Sequence, residues 1–245
     1  MSESPRPDPT ELTSKLTFYR RLTAALAVVV VFLGIVVVAQ LTMNTGSAAP
    51  AAQPTTSSSP EVPELARRDP DDPMALGKVD APVALVQWTD LRCPFCAAVH
   101  RDTIPTIIEE YVDKGLVRLE VRDVAFFGEQ SEDAAVAARA AGEQGRFFEY
   151  LDAVYAAAPD SGHPDLPREK LIAFAKEAGI PDLDRFTADL DDPAVRAAAQ
   201  ASTAEAQRLG VSAVPFFVAN DTALSGAQPV AVFRDFLDRA IAQKG

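Results

Sequence analysis

The sequence predicts an α/β domain that is preceded by one transmembrane helix and a disordered linker. Hydrophobic residues make up 48% of the 245-residue chain, which is enough to bury a sizeable core and is not typical of a disordered protein. From about Met74 onward, strand and helix patterns alternate in the order β, α, β, helical block, β, β, α. An uncharged apolar run and a stretch rich in proline and serine come before that point. These observations assign residues 74–245 to the folded domain.

The apolar run LTAALAVVVVFLGIVVVAQL occupies Leu22–Leu41 and contains no charged residue. At ~1.5 Å of rise per residue, a helix of this length crosses the ~30 Å hydrocarbon layer of a bilayer. Basic side chains lie just before the run, and none follows it until Arg67. By the positive-inside rule, we predict a single-pass helix in the cell membrane, with residues 1–21 cytoplasmic and the folded domain extracytoplasmic.

A cleaved signal peptide is the alternative, because the small residues Ser47, Ala48 and Ala49 follow the apolar run. The run is longer than a typical signal core, and Pro50 stands directly after the best small-residue site. These two features favour the membrane anchor.

The stretch that follows the run, residues 42–73, is rich in Pro, Ser, Thr and Ala and has no hydrophobic period. It therefore lacks the apolar surface that a folded segment buries. We predict a disordered linker that holds the domain on the order of 30 Å from its anchor.

The first strands and helix of the domain follow from their periodicity. Residues 82–89, PVALVQWT, form a short apolar run rich in β-formers, which predicts a buried strand. Apolar side chains then recur at helical spacing, which predicts an amphipathic helix from Pro94 to about Asp113 with a kink at Pro105. Residues 116–123 alternate apolar and charged side chains, which predicts a strand with one polar face toward a sheet edge. Because a helix joins these two strands, they should run parallel.

The second half of the domain begins with a helical block over about residues 131–209. Its four helical patterns cover residues 131–141, 147–155, 171–178 and 194–209. The segment IPDLDRF between the last two patterns predicts only a short turn. After Gly210, the segments VSAVPFFVAN and TALSG predict two short strands, and a closing amphipathic helix follows them.

Cys93 and Cys96 are the only two cysteines of the chain, and they stand in the stretch TDLRCPFCAAVH directly after the first strand. A structural disulfide is one interpretation, although closing so short a loop removes little chain entropy. A zinc site is another, because His100 completes a C-x2-C-x3-H pattern. Zinc takes four ligands, however, and the only other histidine, His163, lies far along the chain. The third interpretation is a redox centre.

The spacing of the cysteines favours redox chemistry. Residues i and i+3 at the start of a helix have Cα atoms ~5 Å apart, which is within the range that a disulfide accepts. Cys93 precedes Pro94 at the first helical turn, where free N–H groups and the helix dipole favour a thiolate, so Cys93 is the expected nucleophile. Cys96 lies one turn further and faces the core, so it is the expected resolving thiol.

The motif WTDLRCPFC after an apolar strand resembles that of the DsbA-like thiol–disulfide oxidoreductases of the thioredoxin superfamily. The resemblance covers residues 74–245 and implies a thioredoxin-like fold with the helical block, about 131–209, inserted into it. The segment GVSAVPFFV resembles the second signature of the family, a strand that begins with a cis-proline facing the disulfide. By this match Pro215 is the candidate cis-proline, and the backbone of Val214 would pair with an extended substrate segment.

Two positions depart from the family pattern. Related proteins often carry a buried Glu or Asp six residues before the first cysteine, where this chain has Gln87, which cannot take up a proton. Asp90 is a candidate substitute, although an aspartate at a strand end is more often a turn or cap residue. The strongest oxidants of the family have His between the cysteines, where this chain has Phe95, which offers no cation. Arg92 is a candidate replacement cation, although an exposed arginine is usually just solvated.

The resemblance implies a membrane-tethered enzyme that introduces or exchanges disulfides through Cys93, Pro94, Phe95 and Cys96, without a cofactor or metal. Its partners would be cysteine-containing secreted or membrane polypeptides and a membrane redox partner that recharges the cysteine pair. A net charge of −12 argues against a nucleic-acid partner. Two alternatives stay open: a reductive protein of cytochrome c maturation or thiol repair, and a non-enzymatic, tethered peptide-binding module.

Overall fold

A computed structural model describes residues 65–244 of the chain, in which five strands form one mixed sheet. The strands are β1 (Ala75–Leu76), β2 (Val83–Thr89), β3 (Val117–Asp123), β4 (Phe216–Ala219) and β5 (Thr222–Ser225). They lie side by side in the order β1-β3-β2-β4-β5. Strand β2 pairs in parallel with β3 and antiparallel with β4. The predicted parallel pairing of the first two long strands is therefore confirmed.

The predicted membrane helix at residues 22–41 and the predicted cytoplasmic segment at 1–21 lie outside the described residues. The same holds for the predicted linker as far as residue 64. Within residues 65–244, no helix combines the length and the apolar character that a membrane crossing requires.

The helix that carries the cysteines is broken near the predicted kink. Helix α1 spans Pro94–Asp102, and the short helix α2 (Ile104–Ile107) passes into a π-helical turn at Ile108–Val112. The break falls at Thr103, which has a non-helical backbone. Because Pro105 has no N–H to donate to the carbonyl one turn earlier, the helix cannot run straight through this point. The kink is confirmed.

Five helices lie between β3 and β4 in chain order, as the predicted helical block requires. They are α3 (Glu129–Gly142), α4 (Phe147–Ala156), α5 (Arg168–Glu177), α6 (Leu183–Asp189) and α7 (Pro193–Arg208). Helix α3 packs against α4 and α7, and α4 also packs against α1. The closing helix, α8, spans Val230–Ala242. The block thus covers one side of the helix on which the cysteines lie.

The prediction of only a short turn at IPDLDRF is wrong, because helix α6 begins within this segment, at Leu183, and continues to Asp189. The side chain of Asp182 caps the helix by accepting a hydrogen bond from the backbone N–H of Arg185 at 2.9 Å. Phe186 is fully buried and anchors the helix to the core. A helix this short shows no clear period in the sequence, so packing and the cap decide its conformation.

The sheet separates two apolar clusters, because successive side chains of β2 point to opposite faces. Val83 and Leu85 belong to the larger cluster, which also contains Cys96. Val86 and Trp88 belong to a smaller cluster on the other face. Burial on both faces explains why the sequence of β2 is a continuous apolar run. Packing within the larger cluster holds α1 against the carboxyl end of β2.

Strand β3 lies beside the edge strand β1, as predicted, but its polar face is not exposed. Arg118, Glu120 and Arg122 alternate with apolar residues and are all buried. The Glu120 carboxylate lies 3.2 Å from Nε of Arg118 and 2.8 Å from Nη2 of Arg122. Buried charges are stable only when they are paired in this way.

The segment at residues 65–73 covers this charged face. The backbone N–H groups of Arg67 and Arg68 donate to the Glu120 carboxylate at 2.9 and 2.8 Å. The folded part therefore begins before Met74, earlier than predicted. The sequence does not reveal where the folded part begins, because backbone groups rather than a periodic apolar face make these contacts.

Candidate active site

The two cysteines stand where β2 ends and α1 begins. Cys93 is the N-cap residue and has an extended backbone, with φ −81° and ψ 118°, and Pro94 takes the first helical position. The turn before the helix is closed by the Cys93 N–H, which donates to the carbonyl of Asp90 at 3.0 Å. The Sγ atom of Cys93 accepts a hydrogen bond from the backbone N–H of Cys96 at 3.4 Å. Both cysteines are free thiols in the structure.

The environments of the two thiols push their pKa values apart. A hydrogen bond from the Cys96 thiol lowers the pKa of Cys93, and the backbone N–H groups at the helix start lower it further against the effect of burial. Burial is the main cause that raises the pKa of Cys96 well above its usual value. Cys93 is thus the thiol that ionises more readily.

The loop before β4 lies against Cys93. The peptide bond between Val214 and Pro215 is cis. The Cys93 thiol donates to the carbonyl of Val214, with 3.5 Å between Sγ and the oxygen. The carbonyl of Pro215 accepts a hydrogen bond from the N–H of Gly226 at 2.8 Å, which ties the loop to the end of β5. The two signatures of the sequence therefore meet at one point.

Cys93 lines a cleft of about 490 Å³, to whose walls three phenylalanines and one histidine contribute. The cleft is lined by residues that include Cys93, Phe95, Phe126, Phe127, His163 and Val214. Phe95 is 64% exposed, so its ring stands in solvent at the rim rather than in the core. An apolar surface of this kind beside a reactive thiol suits the side chains of a bound polypeptide.

His163 belongs to this cleft, although the sequence places it 70 residues after Cys93. Its ring stacks on Phe127 at a centroid distance of 4.0 Å, and its Nδ1 lies 3.0 Å from the carbonyl oxygen of Arg92. His100, the other histidine, has its Nε2 2.7 Å from a carboxylate oxygen of Asp152. No local signal marks His163, because only the packing of its loop brings it to the cysteines.

Asp90 is buried and holds the turn between β2 and α1. Its carboxylate accepts hydrogen bonds from the N–H of Arg92 at 2.8 Å, the N–H of Phe126 at 2.7 Å and the hydroxyl of Ser131 at 2.9 Å. Burial raises the pKa of Asp90, and these hydrogen bonds oppose the rise. The side chain acts as the turn residue that its position suggests.

The guanidinium group of Arg92 is hydrogen-bonded to two loops. Its guanidinium donates to the carbonyl of Pro164 at 2.9 Å and to the carbonyl of Phe127 at 2.6 Å. These contacts fasten together the loops that carry Phe127 and His163. We therefore assign Arg92 a positioning role in the cleft wall, which differs from the predicted role as a cation for Cys93.

Gln87 is 2% exposed, and it follows Val83 and Leu85 on the β2 face that carries the larger apolar cluster. Its amide Nε2 is buried without a hydrogen-bond partner among the described residues. An unpaired buried amide is costly, and a Gln side chain cannot exchange a proton as a carboxyl does.

The cysteine pair at a helix start faces a cis-proline loop, and a helical block is inserted between β3 and β4. Together these features are those of the DsbA-like thiol–disulfide oxidoreductases of the thioredoxin superfamily. A family model described as thioredoxin matches residues 69–239, and the chain belongs to this family. A probable disulfide bond formation protein D of Bacillus anthracis is 31% identical over 150 residues, which are 60% of this chain and 69% of that protein.

Solved structures agree with this assignment. A thioredoxin-like oxidoreductase from Silicibacter pomeroyi is 30% identical, with a TM-score of 0.60 over 72% of this chain and 95% of that one. Oxidised BdbD from Bacillus subtilis shares the fold, with a TM-score of 0.64 at 23% identity over 69% of this chain and 92% of that one. The protein is therefore a thiol–disulfide oxidoreductase.

Proposed function

We propose that this protein introduces disulfide bonds into polypeptides outside the cytoplasmic membrane, with Cys93 as the exchanging thiol and Cys96 as the resolving thiol. The observation that carries the proposal is the contrast between the two sulfur atoms. Cys93, which is 2% exposed, lines the cleft and has a lowered pKa, whereas Cys96 is fully buried and has a raised pKa. The name of the Bacillus anthracis relative, a disulfide bond formation protein, supports the oxidising direction over the reductive one.

The reaction balances through the cysteine pair alone. A substrate thiolate attacks Sγ of Cys93 in the Cys93–Cys96 disulfide, a mixed disulfide forms, and Cys96 leaves as a thiolate. A second substrate thiolate then displaces Cys93, so the substrate gains a disulfide and the pair takes up two electrons. A membrane redox partner must remove these electrons before the next cycle.

The cleft supports a polypeptide substrate. Ser212 and Ala213 are exposed, and Val214 is half-buried beside Cys93, so this backbone is open to pairing with an extended segment. The aromatic cleft walls accept apolar side chains next to the substrate cysteine. Secreted or membrane polypeptides with cysteines are the substrates that meet such a site outside the cell membrane.

Membrane tethering is the second part of the proposal. The uncharged run at residues 22–41, its basic N-terminal flank and the Pro/Ser-rich stretch that follows support an anchor and a linker. The test is protease accessibility in intact cells or spheroplasts. Before protease is added, residues 65–244 should be found with the membrane, and added protease should cleave them from outside. Protection of this domain from the protease would contradict the proposal.

The exchange reaction is tested by oxidative refolding of a reduced, unfolded substrate with one native disulfide, using the detergent-solubilised full chain. Cys93→Ser should abolish catalysis, because no thiol remains in the cleft. Cys96→Ser, mixed with the same substrate in its disulfide-bonded form, should accumulate a covalent mixed disulfide, because the Cys93 thiolate opens the substrate disulfide and no resolving thiol then releases the substrate. Equal trapping by both variants would contradict the assigned roles, and an inactive wild type would contradict the function.

A further inference from the structure

A pair of buried hydroxyl groups lies beside Cys96. The Oγ1 atom of Thr89, at the end of β2, lies 2.6 Å from the phenol oxygen of Tyr155 on α4. Both residues are fully buried. The Tyr155 hydroxyl also lies 3.3 Å from the carbonyl oxygen of Asp90. The Thr89 side chain lowers the pKa of Cys96 by hydrogen bonding, against the larger, opposite effect of burial. Three elements, β2, α1 and α4, thus bring two hydroxyl groups and one sulfur atom into a single chain of contacts.

The position matters because Cys96 passes through a thiolate in either direction of exchange. It leaves as a thiolate when a substrate opens the disulfide, and it attacks as a thiolate when it resolves a mixed disulfide. A buried thiolate without donors is strongly disfavoured, and the side chain at position 87 is an amide rather than a carboxyl. The Thr89 side chain and the backbone N–H of Asp90 are the groups whose hydrogen bonds lower the pKa of Cys96.

We propose that Thr89 and Tyr155 form a hydroxyl relay that stabilises the Cys96 thiolate during exchange. In this state Tyr155 donates to Thr89, and Thr89 donates to the sulfur. When Cys96 carries a proton or is bound to Cys93, the Tyr155 hydroxyl is free to turn to the carbonyl of Asp90. This inference rests on the proposed role of Cys96 as the resolving thiol.

The relay stabilises the Cys96 sulfur by hydrogen bonding and does not accept its proton. In the resolving step, the Cys96 thiol and a mixed disulfide on Cys93 become the Cys93–Cys96 disulfide and a free substrate thiol. The proton of Cys96 therefore ends on the released thiol. Burial raises the pKa of Tyr155 well above its usual value, so its hydroxyl remains a donor at every pH at which the enzyme acts.

Other titratable groups near Cys96 do not replace the relay. They are Cys93 on α1, Asp90 at the end of β2, and the His100–Asp152 pair, whose imidazole packs on the Tyr155 ring at 4.8 Å. Cys93 and Asp90 are anionic when they ionise, so their charges oppose a thiolate at Cys96. The Nε2 atom of His100 lies 2.7 Å from a carboxylate oxygen of Asp152, which is its hydrogen-bond partner. Besides the backbone N–H of Asp90, the Thr89 hydroxyl is the neutral group that favours the Cys96 thiolate, and Tyr155 is the hydrogen-bond partner of that hydroxyl.

The test uses the reduced full chain and a chromogenic aromatic disulfide, which releases a coloured thiolate at each of two steps. The first release reports attack by Cys93, and the second reports resolution by Cys96. Thr89→Val should leave the first phase unchanged and raise the pH midpoint of the second by about one pH unit, the effect of one hydrogen bond to a charged group. Near neutral pH the second phase should slow only several-fold, because a more basic thiolate is also a better nucleophile.

Matched controls separate the relay from a loss of packing. Thr103→Val and Tyr150→Phe remove other buried hydroxyl groups, which bond to the carbonyls of Gln228 and Leu171 at 3.2 Å each. Both controls should leave the two phases unchanged. Thr89→Ser, which keeps the hydroxyl, should restore the second phase.

Tyr155→Phe should slow the second phase less than Thr89→Val does. The second phase of the double variant should be no slower than that of Thr89→Val alone, because Tyr155 acts through Thr89. An unchanged second phase in Thr89→Val, or equal slowing by the Thr103→Val control, would overturn the relay while leaving the exchange function intact. Loss of both phases in the wild type would instead overturn the proposed function.

Discussion

The sulfur of Cys93 lies 3.5 Å from the carbonyl oxygen of Val214, although 121 positions separate the two residues in the chain. This contact joins the start of α1 to the loop before β4. Because β2 and β4 are hydrogen-bonded neighbours in the sheet, the end of one strand meets the beginning of the other. A polypeptide that pairs with the Val214 backbone would therefore present its own cysteine to Cys93.

Selective alkylation tests the difference between the two thiols. Iodoacetamide near neutral pH should modify Cys93 of the reduced protein well before Cys96, because Cys93 has a lowered pKa and lines the cleft. Peptide mass mapping over time would show the order. The Cys93→Ser variant is the control, and its remaining thiol should react slowly. Faster modification of Cys96 would reverse the assignment of nucleophile and resolving thiol.

Phe95→His should make the cysteine pair more oxidising. A histidine cation at this exposed position would stabilise the Cys93 thiolate and thereby the reduced form. The thiolate absorbance of the variant should titrate at lower pH, and its equilibrium with glutathione should shift toward the reduced protein. Phe95→Leu is the control, because it changes the side chain without adding charge. No difference between the two variants would show that charge at position 95 does not set the redox poise.

Asp90 should make stability depend on pH in the direction opposite to that of a salt-bridged carboxylate. Its pKa is raised above the ordinary 3.8 by burial, so the stabilising contribution is fully present below 3.8 and is lost as the pH rises through the higher folded-state pKa. The unfolding free energy of the wild type relative to Asp90→Asn should therefore fall with rising pH across that window. Urea titrations at several pH values measure this difference in unfolding free energy. Asp160→Asn, at a fully exposed position, is the control. A difference that grows with pH would contradict the raised pKa.

Glu120→Gln should destabilise the fold by about 3 to 5 kcal/mol, because it leaves the buried guanidinium group of Arg118 without its counter-charge and that of Arg122 with only Asp72, 3.7 Å away. The matched control is Glu149→Gln, which breaks a half-exposed pair with Arg146. The control should change stability by no more than about 1 kcal/mol. Urea unfolding of both variants gives the two losses of unfolding free energy. Equal losses would contradict the larger contribution of the buried ion pairs.

Local sequence patterns were sufficient for the elements that present the cysteines. The apolar run of β2 and the helical period after Pro94 placed both elements correctly, because the period of two and the period of 3.6 residues depend on the chain itself. The break of the helix before Pro105 follows from the missing N–H of proline. The spacing of Cys93 and Cys96 likewise places both thiols on one helical turn.

Other features depended on contacts that no local pattern encodes. The alternation in β3 predicted one polar face, but not that this face is buried: a segment before β1 covers it and donates backbone N–H groups to Glu120. Helix α6 was missed because a cap and a single buried aromatic residue stabilise it. In both cases the partners come from distant parts of the chain or are too few to form a period.

The sequence by itself determined the fold class, the order of the main elements and the reactive cysteine pair, because these follow from short-range periodicity and helix geometry. Only the tertiary structure brought Val214 and His163 to Cys93 and set the Thr89–Tyr155 hydroxyl pair beside Cys96. These contacts join residues more than 60 positions apart, and they arise from the pairing of strands and the packing of α4 against α1. The chemistry of each thiol is therefore decided by neighbours that the chain supplies from elsewhere, through burial and hydrogen bonding.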